Sequence, residues 1–260
     1  MPLPATTGRR SLPFQKVQGT IEILRHSCYG VVGNPMKMAL YHCINARSFR
    51  PLWLLEELGL RYELKVLPFP PRLEAESYLA INPLGTIPAF FDGDTRMTES
   101  AAICQYLAAH HSPRMLNVEV DEPDFGSYLN FLHFGEATLT FPQTVILRYS
   151  RFEPPERRLP QVAEDYTRWF LSRLRTLEAL FESREYLCAG RFTAADVSVG
   201  YALMLADDIG LKQRFKPATL AYWQRLQARE GFQRALKEQE RAAIDQGVPT
   251  HSATHAGGPF

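Results

Sequence analysis

The stretch "NPLGTIPAFFDGDTRMTESAAICQYL", residues 82–107, decides the fold of this chain. Within it, "IPAFFD" is an apolar run typical of a strand, and "TRMTE" is typical of another strand that follows a glycine-containing turn. The next residues, "SAAICQYLAAHH", have the composition of a helix that begins near Ser100. The stretch therefore predicts two consecutive strands and a closing helix.

The residues before this stretch alternate between strand and helix patterns. "KMALYHCI" is a predicted strand, and "PLWLLEELGL" is a predicted helix with Gly59 just past its end. "YELKVLPF" is a second strand that the following prolines terminate, and "LEAESYLAI" suits a short helix. The resulting order, βαβ-α-ββα, requires a crossover and parallel pairing in its first connection. We predict a thioredoxin-like α/β domain over residues 36–114.

The pattern changes to helices alone after a charged, proline-bearing stretch at residues 119–123. A long, aromatic-rich helix is predicted from Phe125 to about Arg148, and Pro142 should kink or end it. Thr193 and Asp196 have the spacing of a capping box at the start of a later helix. We predict an all-helical domain over residues 121–241. Its further predicted helices lie at residues 161–182, 193–210, 218–228 and 231–241.

Composition and charge narrow the classes of function. The 260 residues are 45% hydrophobic, enough for one large domain or two ordinary ones. A net charge of +1, from 29 basic and 28 acidic side chains, gives no field that would attract nucleic acid or an anionic membrane. The four cysteines are widely spaced without a C-x-x-C pair, which argues against a disulfide framework or a metal site. We expect a cytoplasmic protein whose partner is a small molecule.

Both ends of the chain differ from the predicted domains. Residues 1–35 contain scattered prolines and glycines without a hydrophobic period, and we predict a disordered extension. The extension has two interpretations: an arginine-rich organelle presequence, or an over-long translation start with the real beginning at Met36 or Met38. The second is favoured because a strand starts immediately afterwards. Residues 242–260 are predicted to be a flexible tail.

The order Ile-Pro, strand, turn, Glu-Ser, helix resembles the glutathione-binding signature of the cytosolic glutathione transferases. The resemblance implies that Pro88 is cis and that the backbone of Ile87 hydrogen-bonds the cysteinyl part of glutathione. It also implies that Glu99 and Ser100 hold the γ-glutamyl ammonium and carboxylate. "RSFRPLWLLEELGLRYEL" and "FTAADVSVGYAL" are similar to helices of the same family, the first of them to bacterial transferases. The resemblance covers about residues 37–240.

The residue types in this signature suit the ligand for physical reasons. A cis peptide, available essentially only before proline, exposes backbone groups to an extended peptide at a sheet edge. A serine hydroxyl and unpaired N–H groups at a helix start suit a carboxylate, and a neighbouring glutamate suits an ammonium group. The family often has Lys or Gln two residues before the proline to reach the glycyl carboxylate. This chain has Thr86 there, and Arg72 is the alternative.

The resemblance also implies that the glutathione thiol is held as a thiolate. A free thiol has a pKa near ~8.5, and each unit of depression requires ~1.4 kcal/mol. A hydroxyl donor and the positive end of a helix can supply that energy. Many transferases have Ser-x-Ser-x-Arg here, where this chain has Ala46 at the first serine and Ser48 at the second. We predict Ser48 as the donor, with Asn45 and Arg47 as alternatives.

Ser48 has a competing structural interpretation, because a serine before a helix with Pro51 in its first turn is an expected N-cap.

For the whole protein, the resemblance predicts a glutathione transferase of the bacterial type. It would be a homodimer that acts in detoxification and conjugates glutathione to a small apolar electrophile bound between the two domains. One alternative is a glutathione-dependent etherase or a thiol reductase that uses Cys43. Another is a non-catalytic interaction or regulatory module of the same fold, and Ala46 argues mildly for that.

Overall fold

The computed structural model describes residues 38–112 and 114–254. The prediction of a disordered extension at residues 1–35 lies outside these residues. Among the described residues, no helix is both long enough and apolar enough to cross a membrane.

The first half has the predicted thioredoxin-like order. A four-stranded sheet has the strand order β2-β1-β3-β4, with β1 parallel to β2 and antiparallel to β3. The parallel pairing confirms the predicted crossover through α1. The predicted short helix is divided into α2 and a 3-10 turn at Glu76–Ala80. The elements are β1 (Met38–His42), α1 (Phe49–Leu58), β2 (Tyr62–Val66), α2 (Pro71–Glu74), β3 (Ala89–Asp92), β4 (Thr95–Met97) and α3 (Ser100–His111).

Helix α1 ends where the sequence predicts. Gly59 adopts a left-handed conformation with φ of 62°, which costs glycine little because it has no Cβ. The N–H of Leu60 then donates to the carbonyl of Leu55 at 3.2 Å, and this closes the helix.

The second half is helical, as predicted, but two boundaries differ. The helical run that begins at Phe125 does not end at Pro142 and continues to Phe152 through two π-helical stretches. Pro142 lies in the first turn after one of them, where a missing N–H is tolerated. The elements are α4 (Phe125–His133), α5 (Phe141–Leu147), α6 (Pro160–Phe181), α7 (Ala194–Asp208), α8 (Pro217–Gln227) and α9 (Glu230–Asp245), with the π-helical stretches at Phe134–Thr140 and Arg148–Phe152.

Helix α7 begins with the predicted capping box. The Asp196 carboxylate accepts the Thr193 N–H at 2.8 Å, the Leu187 N–H at 3.1 Å and the Tyr222 hydroxyl at 2.8 Å. Burial raises the pKa of Asp196 to about 6 in spite of these hydrogen bonds. The capping box is structural, because all of its partners lie within the helical domain.

The two halves share one hydrophobic core. Trp53 of α1 is fully buried and packs edge-on against Phe232 of α9, with ring centroids 4.9 Å apart. Phe49 contacts the same ring at 5.5 Å. The last helix and the chain after it are therefore part of the packed body. The prediction of a flexible tail from residue 242 is wrong as far as Thr254, since α9 continues to Asp245 and Ser252 is buried.

Candidate functional site

The sheet edge before β3 is held by side-chain hydrogen bonds. The Ile87–Pro88 peptide is cis, and the pairing of β3 with β1 begins only at Ala89. The Thr86 carbonyl accepts the Tyr78 hydroxyl and the Asn82 side-chain amide, both at 2.7 Å. The backbone of Ile87 therefore lies beside the hydrogen-bonded strands β1 and β3 without being part of their pairing.

Both candidates for the glycyl carboxylate lie near this edge. Thr86 and Arg72 are exposed. Between them, Gly85 has φ of 60°, and a Cβ there would lie 2.6 Å from the Arg72 Cβ. Only glycine permits this close approach, and the approach brings the start of α2 beside Thr86.

The start of α3 presents two different groups. Glu99 is exposed and precedes the first helical residue, Ser100, which is 4% exposed. The Ser100 hydroxyl oxygen accepts a hydrogen bond from Arg50 Nη1 at 3.1 Å, which leaves its own hydrogen available for an acceptor. A helix N-terminus with such a hydroxyl has the chemistry that a carboxylate requires.

Arg50 is fully buried and joins the two halves of the molecule. Its guanidinium contacts Glu136 Oε2 at 2.5 Å and lies 4.2 Å from the centre of the Tyr201 ring. A buried charge of this kind requires a full set of partners. The other acceptors are the Ser198 and Gly135 carbonyls and the Ser100 and Thr140 hydroxyls.

Arg47 shares the same carboxylate. Its Nε lies 2.6 Å from Glu136 Oε1, and its Nη2 donates to the Thr144 hydroxyl at 3.0 Å. Burial raises the pKa of Glu136, but the guanidiniums of Arg50 and Arg47 offset this and hold the pKa below its usual value. Two cations thus share this one carboxylate, the Arg47 side chain is 36% exposed, and the Glu99 carboxylate also acts electrostatically on Arg47.

Asn45 lies between β1 and α1 and is held by the helical domain. It has φ of 53°, a left-handed conformation that asparagine tolerates better than most residues. Its N–H donates to Gln239 Oε1 at 3.1 Å, and its side-chain Oδ1 accepts from Gln239 Nε2 at 2.7 Å. Its carbonyl accepts the Tyr201 hydroxyl at 3.3 Å.

A buried chain of hydrogen bonds continues from Gln239 to Ser48. Because the Asn45 N–H can only donate, the Gln239 atom that it contacts must be the carbonyl oxygen. That oxygen also lies 3.0 Å from His42 Nε2, so this ring nitrogen carries the hydrogen. Burial lowers the pKa of His42 to about 4, and in the neutral ring Nδ1 must accept. The Ser48 hydroxyl, 2.8 Å away, therefore donates to it.

Ser48 has neither of its two predicted environments in this structure. It is fully buried, its hydrogen is directed at His42, and its oxygen accepts the Cys43 N–H at 3.3 Å. Its side chain makes no capping hydrogen bond to α1, so the predicted N-cap is wrong. The backbone enters the helix with Ser48 already in a helical conformation, and this turns the side chain into the core.

The described cysteines are buried and uncharged. Burial raises the pKa of the Cys43 thiol to about 12, and its Sγ donates to the Pro68 carbonyl at 3.6 Å. A thiol with such a pKa does not supply a thiolate near neutral pH. The geometry therefore does not favour a thiol reductase that uses Cys43.

Among the residues in 38–112 and 114–254, no group of three or more His, Cys, Asp or Glu side chains could hold a metal ion.

A cavity of about 200 Å³ borders the loop that carries Asn45. Ile44, Leu67 and Phe69 line it from the first domain, and Val248, Pro249 and Ser252 line it from the segment after α9. Its walls are mostly apolar.

Comparison with known proteins identifies the family. The model of the glutathione S-transferase N-terminal domain matches residues 36–109. Glutathione S-transferase 3 of Schizosaccharomyces pombe is 29% identical over 187 residues, which cover 68% of this chain and 77% of that protein. Glutathione S-transferase GstA of Escherichia coli O157:H7 is 28% identical over 202 residues, 76% of this chain and 97% of that protein. Residues 36–109 belong to the glutathione S-transferase N-terminal domain family, and the chain is similar to glutathione S-transferases along most of its length.

Solved transferase structures share the fold. Glutathione transferase URE2P6 from Phanerochaete chrysosporium, in complex with oxidised glutathione, is 27% identical with a TM-score of 0.69, covering 80% of this chain and 98% of that one. A glutathione transferase from Methylococcus capsulatus is 26% identical with a TM-score of 0.67, covering 77% and 98%. The similar transferases come from fungi, plants and bacteria, so the predicted bacterial subclass is not confirmed.

Four residues around the candidate glutathione site were not predicted from the sequence. Arg50, Glu136, Tyr201 and Gln239 lie in or beside helices where charged, aromatic and amide side chains are common. Their joint position depends on how α1 packs against α7 and α9. One signal was present: Arg50 interrupts an otherwise apolar helix start, and such a residue needs a buried partner.

Proposed function

We propose that this protein is a glutathione transferase that conjugates the glutathione thiolate to a small apolar electrophile held between the two domains. The observation that carries the proposal is that an open backbone at the cis Ile87–Pro88 peptide occurs together with Glu99 and Ser100 at the start of α3. In this proposal Ile87 and Pro88 receive the cysteinyl part of glutathione. Glu99 takes the ammonium, Ser100 takes the γ-glutamyl carboxylate, and Thr86 and Arg72 serve the glycyl carboxylate.

The proposed second substrate is apolar because the cavity beside Ile44 has mostly apolar walls. We also propose a cytoplasmic homodimer that acts in detoxification, as the resemblance to this family implies. The etherase alternative uses the same thiolate with an aryl ether as the leaving group. The non-catalytic alternative is separated from both by the tests below.

Thiolate supply is the main contribution expected of the protein. The predicted donor, Ser48, is buried and its hydrogen is directed at His42, which favours the two alternatives. The side-chain Nδ2 of Asn45 has no hydrogen-bond partner among the described residues, so it is available as a donor. The partly exposed guanidinium of Arg47 also lowers the free energy of a nearby anion. We therefore propose Asn45 as the thiolate donor, with Arg47 as electrostatic support.

Glutathione binding tests the proposed function. Titration calorimetry with reduced glutathione should give saturable binding, and activity should be seen with 1-chloro-2,4-dinitrobenzene as the electrophile. Ser100→Ala should weaken binding about tenfold, because a hydrogen bond to a carboxylate contributes about 1.5 kcal/mol. Ser77→Ala, at an exposed serine of the same domain, is the matched control. Absence of binding would overturn the proposal, and binding without conjugation would favour the non-catalytic module.

The donor is tested by the ultraviolet absorbance of the thiolate of bound glutathione, recorded against pH. Asn45→Gly removes the side chain but permits the left-handed backbone. It should raise the pKa of the bound thiol by about one unit, equivalent to about 1.4 kcal/mol. Ser48→Ala should leave this pKa unchanged. If Ser48→Ala raises this pKa and Asn45→Gly leaves it unchanged, Ser48 rather than Asn45 is the thiolate donor.

A further inference from the structure

The last helix of the second domain reaches the loop that carries the proposed thiolate donor. Gln239 of α9 is 5% exposed and contacts Asn45, 194 residues earlier in the chain. Its Oε1 accepts the Asn45 backbone N–H, and its Nε2 donates to the Asn45 side-chain oxygen. One amide therefore holds both the backbone and the side chain of Asn45.

This double contact sets the orientation of the Asn45 amide. A side-chain amide has an acceptor oxygen and a donor nitrogen on opposite sides. Because Gln239 Nε2 donates to Oδ1 at 2.7 Å, the Nδ2 group of Asn45 is turned away from α9. Among the described residues, Nδ2 has no hydrogen-bond partner, so its hydrogens are left for a ligand.

The orientation of Gln239 is itself determined by its neighbours. Its Oε1 accepts two hydrogen bonds, from the Asn45 N–H and from His42 Nε2. A flipped amide would place an NH₂ group against a backbone N–H, which cannot accept. His42 is fixed in turn by the Ser48 hydroxyl at its other nitrogen. The buried residues His42 and Ser48 thus hold Gln239, and Gln239 holds Asn45.

We propose that Gln239 is a positioning residue for the transferase reaction, which directs the Asn45 Nδ2 hydrogens toward the glutathione sulfur. This inference rests on the proposed function. Gln239 itself touches no reacting atom. It lowers the pKa of the bound thiol only by way of Asn45.

Two substitutions separate this role from a structural one. Gln239→Leu removes both contacts with Asn45. Gln239→Glu keeps an oxygen for the Asn45 N–H and for His42 but replaces the donor with a second oxygen. The Asn45 amide then turns over to donate to that carboxylate and presents its own oxygen to the sulfur. Gln233→Glu places the same charge at an exposed position of the same helix and is the matched control.

The readout is the pKa of glutathione bound to the full chain, from thiolate absorbance. We expect Gln239→Leu to lower the thiolate fraction at pH 7 about fivefold to tenfold, and Gln239→Glu to lower it further. Gln233→Glu should leave it unchanged. The absorbance of free glutathione at each pH is subtracted, so a loss of folded protein lowers the remaining signal without moving its midpoint. An unmoved midpoint in both Gln239 variants would overturn the inference.

A double-mutant cycle with Asn45→Gly tests whether Gln239 acts through Asn45. In the Asn45→Gly background, Gln239→Leu should cause no further shift of the midpoint. Additive shifts would show a separate action of Gln239 and would overturn the proposal. If the unmodified protein does not bind glutathione, the proposed function fails. If it binds and forms a thiolate that the Gln239 variants do not change, only the positioning role fails.

Discussion

His42 is a histidine that the fold keeps neutral. Burial lowers its pKa from the ordinary value of 6.5 to about 4, and both ring nitrogens are engaged, with Gln239 and Ser48. Between these pH values the unfolded chain binds a proton that the folded protein does not. The contribution to stability is therefore complete above pH 6.5 and is lost as the pH falls toward 4. Its size is about 3 kcal/mol.

We predict that His42→Gln removes this part of the pH dependence. The free energy of unfolding, from urea titrations between pH 7.5 and 5, should fall with decreasing pH more steeply in the unmodified protein than in the variant. The raised pKa of Asp196 increases stability as the pH falls through the same range. Because both proteins contain Asp196, this contribution cancels when their unfolding free energies are subtracted. Parallel curves would mean that His42 has the same pKa in the folded protein and in the unfolded chain.

The sequence predicted candidate site residues that belong to one local motif, and it did not point to residues that come from elsewhere in the chain. Pro88, Glu99 and Ser100 lie within thirteen residues, so their spacing alone suggested a common ligand. Glu136 and Gln239 meet the same region only after two domains have packed. The burial of Ser48 could not be predicted from the sequence either. A serine before a helix has the same local pattern whether it caps the helix or faces the core.

At the scale of elements, α7 and the first π-helical stretch pack closely against each other. A Cβ on Gly135 would lie 2.5 Å from the backbone of Ser198. Arg50 donates to the carbonyls of these same two residues, so their separation also controls the buried charge cluster. The close approach therefore supports the site as well as the core.

Gly135→Ala should destabilise the protein by about 3 kcal/mol, because the backbone of α7 cannot move aside without repacking the core. The matched control is Gly126→Ala in α4, where an added Cβ has no atom within 4 Å. That substitution should stabilise the protein by about 0.5 kcal/mol, because alanine favours a helix. Chemical denaturation of both variants measures the difference. Equal stabilities would show that α7 can shift at little cost.

Element types followed from periodicity, but the ends of some elements did not. The sequence pattern predicted the four strands and most helices because apolar spacing repeats along each of them. Helix α9 was predicted to end at residue 241, yet it continues to Asp245, and Ala242 and Ala243 are buried. Two small side chains against a sheet edge give little hydrophobic signal. Pro142 was expected to kink or end a helix; the helical run continues past it, and regular α-helix gives way to a π-helical stretch just before it.

At the scale of the whole molecule, the two domains depend on each other. Helix α1 belongs to the first domain by its sequence, yet Trp53 and Phe49 pack against α9. Glu57 near the end of α1 pairs with Arg229 at 2.8 Å, just before α9 begins. Because the proposed glutathione site belongs to the first domain and Gln239 to the second, domain packing and thiolate supply are coupled.

The segment after α9 completes the sheet edge. Gln246 Oε1 accepts the Val66 N–H, and its Nε2 donates to the Leu64 carbonyl, each at 2.9 Å. One side chain thus satisfies a donor and an acceptor of β2, as a neighbouring strand would. Further on, the Ser252 hydroxyl donates to Asp208 at 2.7 Å, which holds the segment beside the apolar cavity.

We predict that Gln246→Ala exposes this edge. The Val66 amide would lose its only described acceptor, so its hydrogen exchange should become at least about tenfold faster, the change expected when about 1.4 kcal/mol of local protection is lost. The Leu40 amide, in the central strand, is the internal control and should keep its rate. A chain that ends after Thr254 should keep both rates, since the contacts described here lie before that point. Unchanged exchange at Val66 would mean that the body of α9, rather than Gln246, protects the edge of β2.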